Sequence, residues 1–385
     1  AGAAAGAAET AAAAEEAKPS YWDEVGTDKP NASALKRALA DTVLVDAAWL
    51  ARLADAGDVL PRCQDLPAGA RVTLEEMEWW THEYTVGVLV ISYPWLDADH
   101  PDKDGLQLRK IAKVLKLFDK RAKKEHGAGC KVGVFLDYVS MPQRSRGSPE
   151  DDRTPEELAT FKRSLQGINL WYAHPKTHVL LVDTDLPAGA HKNMQPYAGR
   201  GWCVMERKAS GLVKHFRALI SLKGLTGEEA HLDQVNTNGR AAREPPMAPA
   251  AFASMLEAGV ASGAIKFTNR GDVGVVATIY GKAFAAEMAA VVTLSYAVLG
   301  WDDAQVRTVI EALRAAHAGG GLRKVEALYL DRNQMGDGAA AALAALLEEG
   351  AMPNLERLYL NSNQIADDGV AALASALRGG ALPAC

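Results

Sequence analysis

The sequence predicts an α/β protein in two parts: a parallel sheet covered by helices on both faces, followed by a short solenoid of stacked strand–helix repeats. Three observations carry this. First, VEALYLDRNQM from Val325 and LERLYLNSNQI from Leu355 are nearly the same segment written twice, with Leu328 matching Leu358 and Asn333 matching Asn363. Each is followed by an Ala/Leu helical stretch, at 339–347 and 370–377. A fixed period of this kind marks an array whose unit cannot bury its apolar face alone. Second, four short apolar runs, 86–92, 131–137, 177–183 and 218–222, alternate with helical patterns at 105–126, 155–172 and 200–214. Strands alternating with helices imply parallel pairing. Third, those runs are apolar throughout rather than on alternate residues, as expected of strands buried on both faces.

Taken in chain order, residues 1–32 are an Ala/Glu-rich, low-complexity tail, expected to lack a core of its own. Residues 33–84 read as a helical leader, with Ser33 as N-cap, a break at Pro61 and Pro67, and Trp49, Trp79 and Trp80 positioned to pack it onto a neighbour. The α/β domain occupies 85–225. In the helix at 105–126, the spacing of Leu108, Ile111, Leu115, Phe118 and Ala122 gives one apolar face, leaving the basic run that starts at Arg109 as a solvated face. A Pro/Gly/Asn-rich linker is expected at 226–250, a helical bridge at 251–290 and the repeats at 291–385. A degenerate first repeat begins near Val292 and carries Trp301 where the later repeats have smaller residues, which suits a cap closing the stack. At the other end, GALPAC from Gly380 parallels the lead-in to the second repeat. A further repeat is therefore expected beyond Cys385, with an apolar face left at Leu377 and Leu382.

The net charge of −6 argues against a nucleic-acid binder, whose footprint would be a basic face. Four distant cysteines, with no CxxC or Cys/His spacing, predict no metal site and suit a reducing, cytoplasmic setting. No apolar run approaches the roughly 20 residues that span a bilayer, so no membrane partner is expected. The acidic stretch from Asp97 to Gly105 fails as a calcium loop, because Gly105 in sixth place puts His100 first and Ile111 twelfth. It reads instead as a loop capping the next helix. No phosphate-binding glycine motif appears.

Ligands of open parallel sheets bind outside the carboxyl ends of the strands. Here the first three runs end in Ser92, Asp137 and Asp183, with Tyr93, Trp95 and Asp97 just beyond the first. In the helix after Arg200, a turn of roughly 100° per residue groups Trp202, Met205, Ala209, Leu212 and Val213 in one stripe, with Glu206 about 40° from Trp202. A carboxylate on a buried face costs free energy unless it is paired or functional. Desolvation would raise its pKa. The alternative reading is an acid in a helix's first turn, complementing the dipole.

The L-x-x-L-x-L-x-x-N pattern resembles a leucine-rich repeat of the ribonuclease-inhibitor type, implying an inward-turned Asn and a surface for a protein partner. The order of elements with the Phe135-Leu136-Asp137 strand end, the VGVLVISY strand from Val86 and YAGRGWCVME from Tyr197 resemble a TIR domain, covering about residues 85–222. Ser92-Tyr93-Pro94-Trp95 is also similar to the related heterokaryon-incompatibility domains. The resemblance implies a flavodoxin-like sheet, self-association, and a signalling or innate-immune role. Glu206 would be the catalytic residue of NAD hydrolysis, with NAD as substrate and no permanently bound cofactor. The same resemblance makes Ser92, Tyr93, Trp95, Asp97, Asp137 and Trp202 candidate ligand contacts. Trp202 could stack on a flat base, and Asp97 could contact a ribose. The chain departs from the family in Pro94-Trp95-Leu96-Asp97 and in a longer loop near Ser145. It also lacks room between 223 and 290 for the nucleotide-binding switch usual in immune receptors of this kind. A non-catalytic adaptor is the rival reading.

Overall fold

The computed structural model describes residues 33–73, 75–77, 87–145, 147–148, 150–189, 191–269 and 271–380. The tail at 1–32, Trp79 and Trp80, and the lead-in containing Leu382 and Cys385 lie outside the described residues. The strands are β1 (Leu44–Asp46), β2 (Arg71–Val72), β3 (Val88–Ser92), β4 (Gly133–Phe135), β5 (His178–Leu181), β6 (Leu219–Ser221), β7 (Thr293–Ser295), β8 (Ala327–Tyr329) and β9 (Arg357–Tyr359).

Among the described residues, the first sheet has the order β2-β1-β4-β3-β5-β6. The four strands expected from the apolar runs, β3 to β6, pair in parallel. Their alternating residues divide between two helical layers. Leu89, Ile91, Val134, Leu180 and Ile220 pack with the helices Ala47–Asp55, Leu106–His126 and Leu232–Asn238. Val88, Val90, Phe135, Val179 and Leu181 pack with Ile168–Ala173, Gly201–Ser210 and Asp272–Ala290. The long helix Leu106–His126 buries Leu108, Ile111, Leu115, Phe118 and Ala122, as their spacing requires. Its start is set by Asp102, whose Oδ2 accepts the Leu108 N–H at 2.8 Å. It ends at Gly127, where φ is 104°.

Three expectations need correction. Residues 33–84 are not wholly helical, because β1 and β2 extend the sheet antiparallel beyond β4. Leu44 and Val45 are fully buried, and the three-residue apolar run gave too short a signal for its period to be read. Residues 226–250 are not a bare linker. They contain the helix Leu232–Asn238, whose Val235 is buried, and the fully enclosed Arg243. Finally, one helix among the described residues, Asp272–Ala290, has the length and a mean hydropathy of 1.2 that a bilayer span would need. Its 19 residues pack Tyr280, Ala283, Phe284 and Met288 into the core and bury Glu287, as a central helix of the fold does.

The second sheet, β7-β8-β9, is parallel, and its register aligns Leu294, Leu328 and Leu358. The helices Asp303–Ala318, Asp337–Glu348 and Asp367–Arg378 follow the three strands. Asn333 turns inward as expected. Its Oδ1 accepts the N–H of Leu299 and Trp301 (3.2 and 3.1 Å), and its Nδ2 donates to Tyr296 O (2.8 Å) and Leu330 O (3.0 Å). Asn363 makes the same kind of bonds one unit later, to Met335 N, Leu330 O and Leu360 O. The residue before each Asn is left-handed, Arg332 at φ 55° and Ser362 at 58°, and so is Val298 at 59°, in the corresponding place of the first unit. A second ladder runs through the helix starts. Asp303 Oδ1 accepts the N–H groups of Gly336 and Ala339, and Asp337 Oδ1 those of Ala366 and Gly369.

Trp301 closes the array, but onto protein rather than water. It is 2% exposed, and its indole N–H donates to Arg243 O at 3.0 Å. Arg243 in turn donates to Gly211 O (2.7 Å), Leu212 O (2.9 Å) and Ser295 O (2.6 Å), with its guanidinium over the Tyr296 ring. One apolar cluster therefore runs unbroken from the sheet to Leu355.

Candidate functional site

The carboxyl ends of β3 and β4 and the helix Gly201–Ser210 converge on a buried polar cluster. Ser92, the last residue of β3, donates to Glu206 Oε2 at 2.5 Å, and its Oγ lies 2.6 Å from the Tyr197 hydroxyl. Either hydroxyl can be the donor in that second bond, since Tyr197 also reaches Cys203 O at 3.3 Å. Ser92 is fully enclosed and Glu206 is 5% exposed. Burial pushes the Glu206 carboxyl well above its ordinary pKa, the Ser92 and Tyr172 hydroxyls pull it part of the way back, and the Asp137 charge pushes it further up. Glu206 is thus neither an exposed acid of a first turn nor half of an ion pair; it is an acid whose burial favours the neutral form.

Asp137, two residues past the end of β4 and first in a short helix turn, is half-buried. Its Oδ1 accepts from the Tyr93 hydroxyl (2.8 Å) and the Tyr138 N–H (2.7 Å), and its Oδ2 from the Trp95 indole (3.0 Å). Burial raises its pKa to about 6 against these three donors. Ser92, Tyr93, Trp95, Asp137 and Glu206 are therefore brought together at one edge of the sheet.

Two of the residues singled out by sequence sit apart from this cluster. Asp97 is a pin between loops: its Oδ1 accepts the Lys192 N–H at 3.0 Å, while Lys103 and His191 lie 3.5 and 3.9 Å from its Oδ2. Trp202 gives its indole N–H to Asp272 Oδ2 at 3.0 Å, so its polar edge engages the bridging helix rather than Glu206. The amphipathic projection put Trp202 and Glu206 on neighbouring stripes, but it could not see that the helix packs between the sheet and Asp272–Ala290. Asp183, the acid named at the third strand end, also lies apart: it accepts from the Ser221 hydroxyl (2.7 and 2.8 Å) and the Lys223 N–H (3.1 Å), which closes the turn after β6.

The start of the Glu206 helix is clamped from two sides. Arg200 donates to Gln195 O (2.6 Å), Asn193 O (2.8 Å) and Trp95 O, tying it to the loop after β3. Gly201 lies so close to the Phe267 ring that a Cβ there would come within 1.9 Å of it, so only glycine fits. Tyr172 and Tyr197 complete the cluster and were not among the candidate contacts. Tyr197 stood in the YAGRGWCVME segment and could have been found there; Tyr172 lies on a buried helix with no local signal.

A leucine-rich-repeat family model matches residues 351–374, which span the lead-in, β9 and the start of the last helix. No curated protein and no solved structure gives a significant match to the chain. The chain thus carries a leucine-rich repeat, and repeats of this kind commonly mediate protein–protein interaction.

Proposed function

We propose that this chain is a protein-recognition module whose repeats bind a protein partner through the face formed by β7, β8 and β9. The observation that carries this reading is the pair Tyr329 and Tyr359, stacked at 4.6 Å with their planes 5° apart on adjacent strands. Tyr359 is 40% exposed, and Arg357 beside it is also exposed. Aromatic and arginine side chains on a rigid strand face are the anchors that protein interfaces favour. The test is quantitative proximity labelling in cells. The double variant Tyr329→Glu/Tyr359→Glu should lose the partners labelled by wild type, whereas Arg314→Glu on the helical side should keep them. Equal loss in both variants, or in neither, would reject the strand face.

The buried acid favours a second reading: a TIR-like sheet domain that cleaves the nicotinamide–ribose bond of NAD and self-associates to do so. The leaving group is neutral, so no general acid is required; a carboxylate near the developing oxocarbenium charge supplies the stabilisation, and a solvent water adds to the ribose carbon and gives up its proton, leaving ADP-ribose and nicotinamide. In the arrangement described, the Glu206 carboxyl is enclosed, which favours its neutral form. A cationic pyridinium placed beside it would favour its ionised form, and reaching it requires the Arg200-clamped loops to open. The assay is nicotinamide release from NAD at high protein concentration, by wild type and by Glu206→Gln. Release above background by wild type alone supports catalysis, and background release by both leaves the adaptor.

A further inference from the structure

A cleft of about 340 Å³ lies at the carboxyl ends of β5 and β6, between the helix Leu106–His126 and the segment that follows β6, among residues the buried acid does not use. That is within the range of small-molecule sites, about 300–1,000 Å³. Its floor is apolar, made by Val114, Leu117, Leu222, Leu225 and Val235. Its rim is cationic: Arg109, Lys110 and Lys113, neighbours on one side of the helix. Lys110 is steadied by Thr184, whose Oγ1 accepts from its Nζ at 3.1 Å. Lys113 Nζ stands 3.5 Å from where a Cβ on Gly227 would be, so the φ +84° glycine leaves room above it.

The one acid of the lining, Glu229, is turned into its own loop. Its carboxylate accepts from the Thr226 and Gly227 N–H groups (both 2.9 Å), the Thr226 hydroxyl (3.1 Å) and Asn238 (3.1 Å). Although burial opposes them, these donors hold it ionised down to about pH 2. Three cations against one internally bonded carboxylate make a positive rim on a chain whose net charge is −6. The basic run of the helix thus does more than face water.

We infer that this cleft binds a small soluble phosphomonoester with an apolar body: the dianionic head between Arg109, Lys110 and Lys113, the body on the Leu117–Leu225 floor. A single carboxylate would leave the rim under-neutralised, and an apolar molecule without charge would leave the three cations without a counter-charge in the cleft.

The test is calorimetric titration of the full chain with hexyl phosphate, inorganic phosphate, hexanoate and 1-hexanol as probes. Hexyl phosphate should bind at least about tenfold more tightly than each of the other three, since each lacks either the head or the body. Arg109→Glu/Lys113→Glu changes two exposed side chains, should keep the wild-type circular dichroism spectrum, and should abolish binding. The inference is overturned if the double variant binds as wild type does, or if phosphate or hexanoate matches hexyl phosphate. It is equally overturned if only phosphatidic-acid vesicles, and not hexyl phosphate, are bound.

Discussion

Ser92 Oγ and Glu206 Oε2, 114 residues apart in the chain, meet at 2.5 Å in the interior, with the strand end supplying the donor and the helix the acid. Replacing Ser92 by Ala would strip the carboxyl of its nearest partner without admitting water. The expected loss is about 1–3 kcal/mol of unfolding free energy. Urea denaturation at pH 7 measures it, and an unshifted midpoint would show that the pair contributes nothing to the fold.

Asp137 makes stability pH-dependent with a definite sign. Its pKa is 3.8 for the free group and about 6 in the folded chain. Across that window the folded chain keeps a proton that the unfolded chain has released, so stability falls as pH rises. The amide variant Asp137→Asn removes the titrating group while preserving its shape. Denaturation midpoints between pH 4 and 6 should decline less steeply in the variant, by about one proton per molecule at most. The slope contributed by Glu206, raised in the same direction, remains.

Lys214 and Glu287 are buried groups of opposite charge that attract each other. Lys214 is 1% exposed and donates to Thr177 O (2.9 Å), Thr177 Oγ1 (2.7 Å) and His174 O. Burial lowers the pKa of Lys214 and raises that of Glu287, and the two charges oppose those shifts by attracting each other. Glu287→Leu alone should cost up to about 3 kcal/mol, because it leaves the buried Lys214 ammonium with uncharged partners only. Adding Lys214→Met should recover part of that loss, a pattern a double-mutant thermal series would reveal.

Val298 is β-branched and half exposed, yet it sits at φ 59°. That conformation is unfavourable for such a side chain and mild for asparagine. Val298→Asn should therefore stabilise the protein by about 1 kcal/mol, read as a raised melting temperature. A lowered one would mean that the valine side chain contributes more by packing than its backbone costs.

Asp337→Ala removes the acceptor for Ala366 and Gly369 at the start of the next helix. A loss of about 1 kcal/mol is expected, confined to the helix Asp367–Arg378. Amide exchange should quicken there and stay unchanged in Asp303–Ala318.

Where long-range order followed from local period, the sequence was legible. β3 to β6 and the helix Leu106–His126 fall close to the apolar runs and stripes that announce them. The Asn ladder was readable because it repeats, with Asn333 and Asn363 in the same register. β1 was hidden because three residues carry no usable period, and β2 because two carry even less. At the site, the strand-end rule found Ser92 and Asp137, and the helical projection found Glu206 on a buried face. What no projection contains is the third layer. Trp202 was assigned to Glu206 because both lie on one helix, whereas Asp272 reaches its indole from a helix 70 residues on.

The Arg243 staple has one more consequence. Its guanidinium grips Ser295 at the end of β7 with one nitrogen and, with the others, Gly211 and Leu212 just past the helix that bears Glu206. A partner that displaced the first repeat would therefore pull directly on the residues that end the acid's own helix.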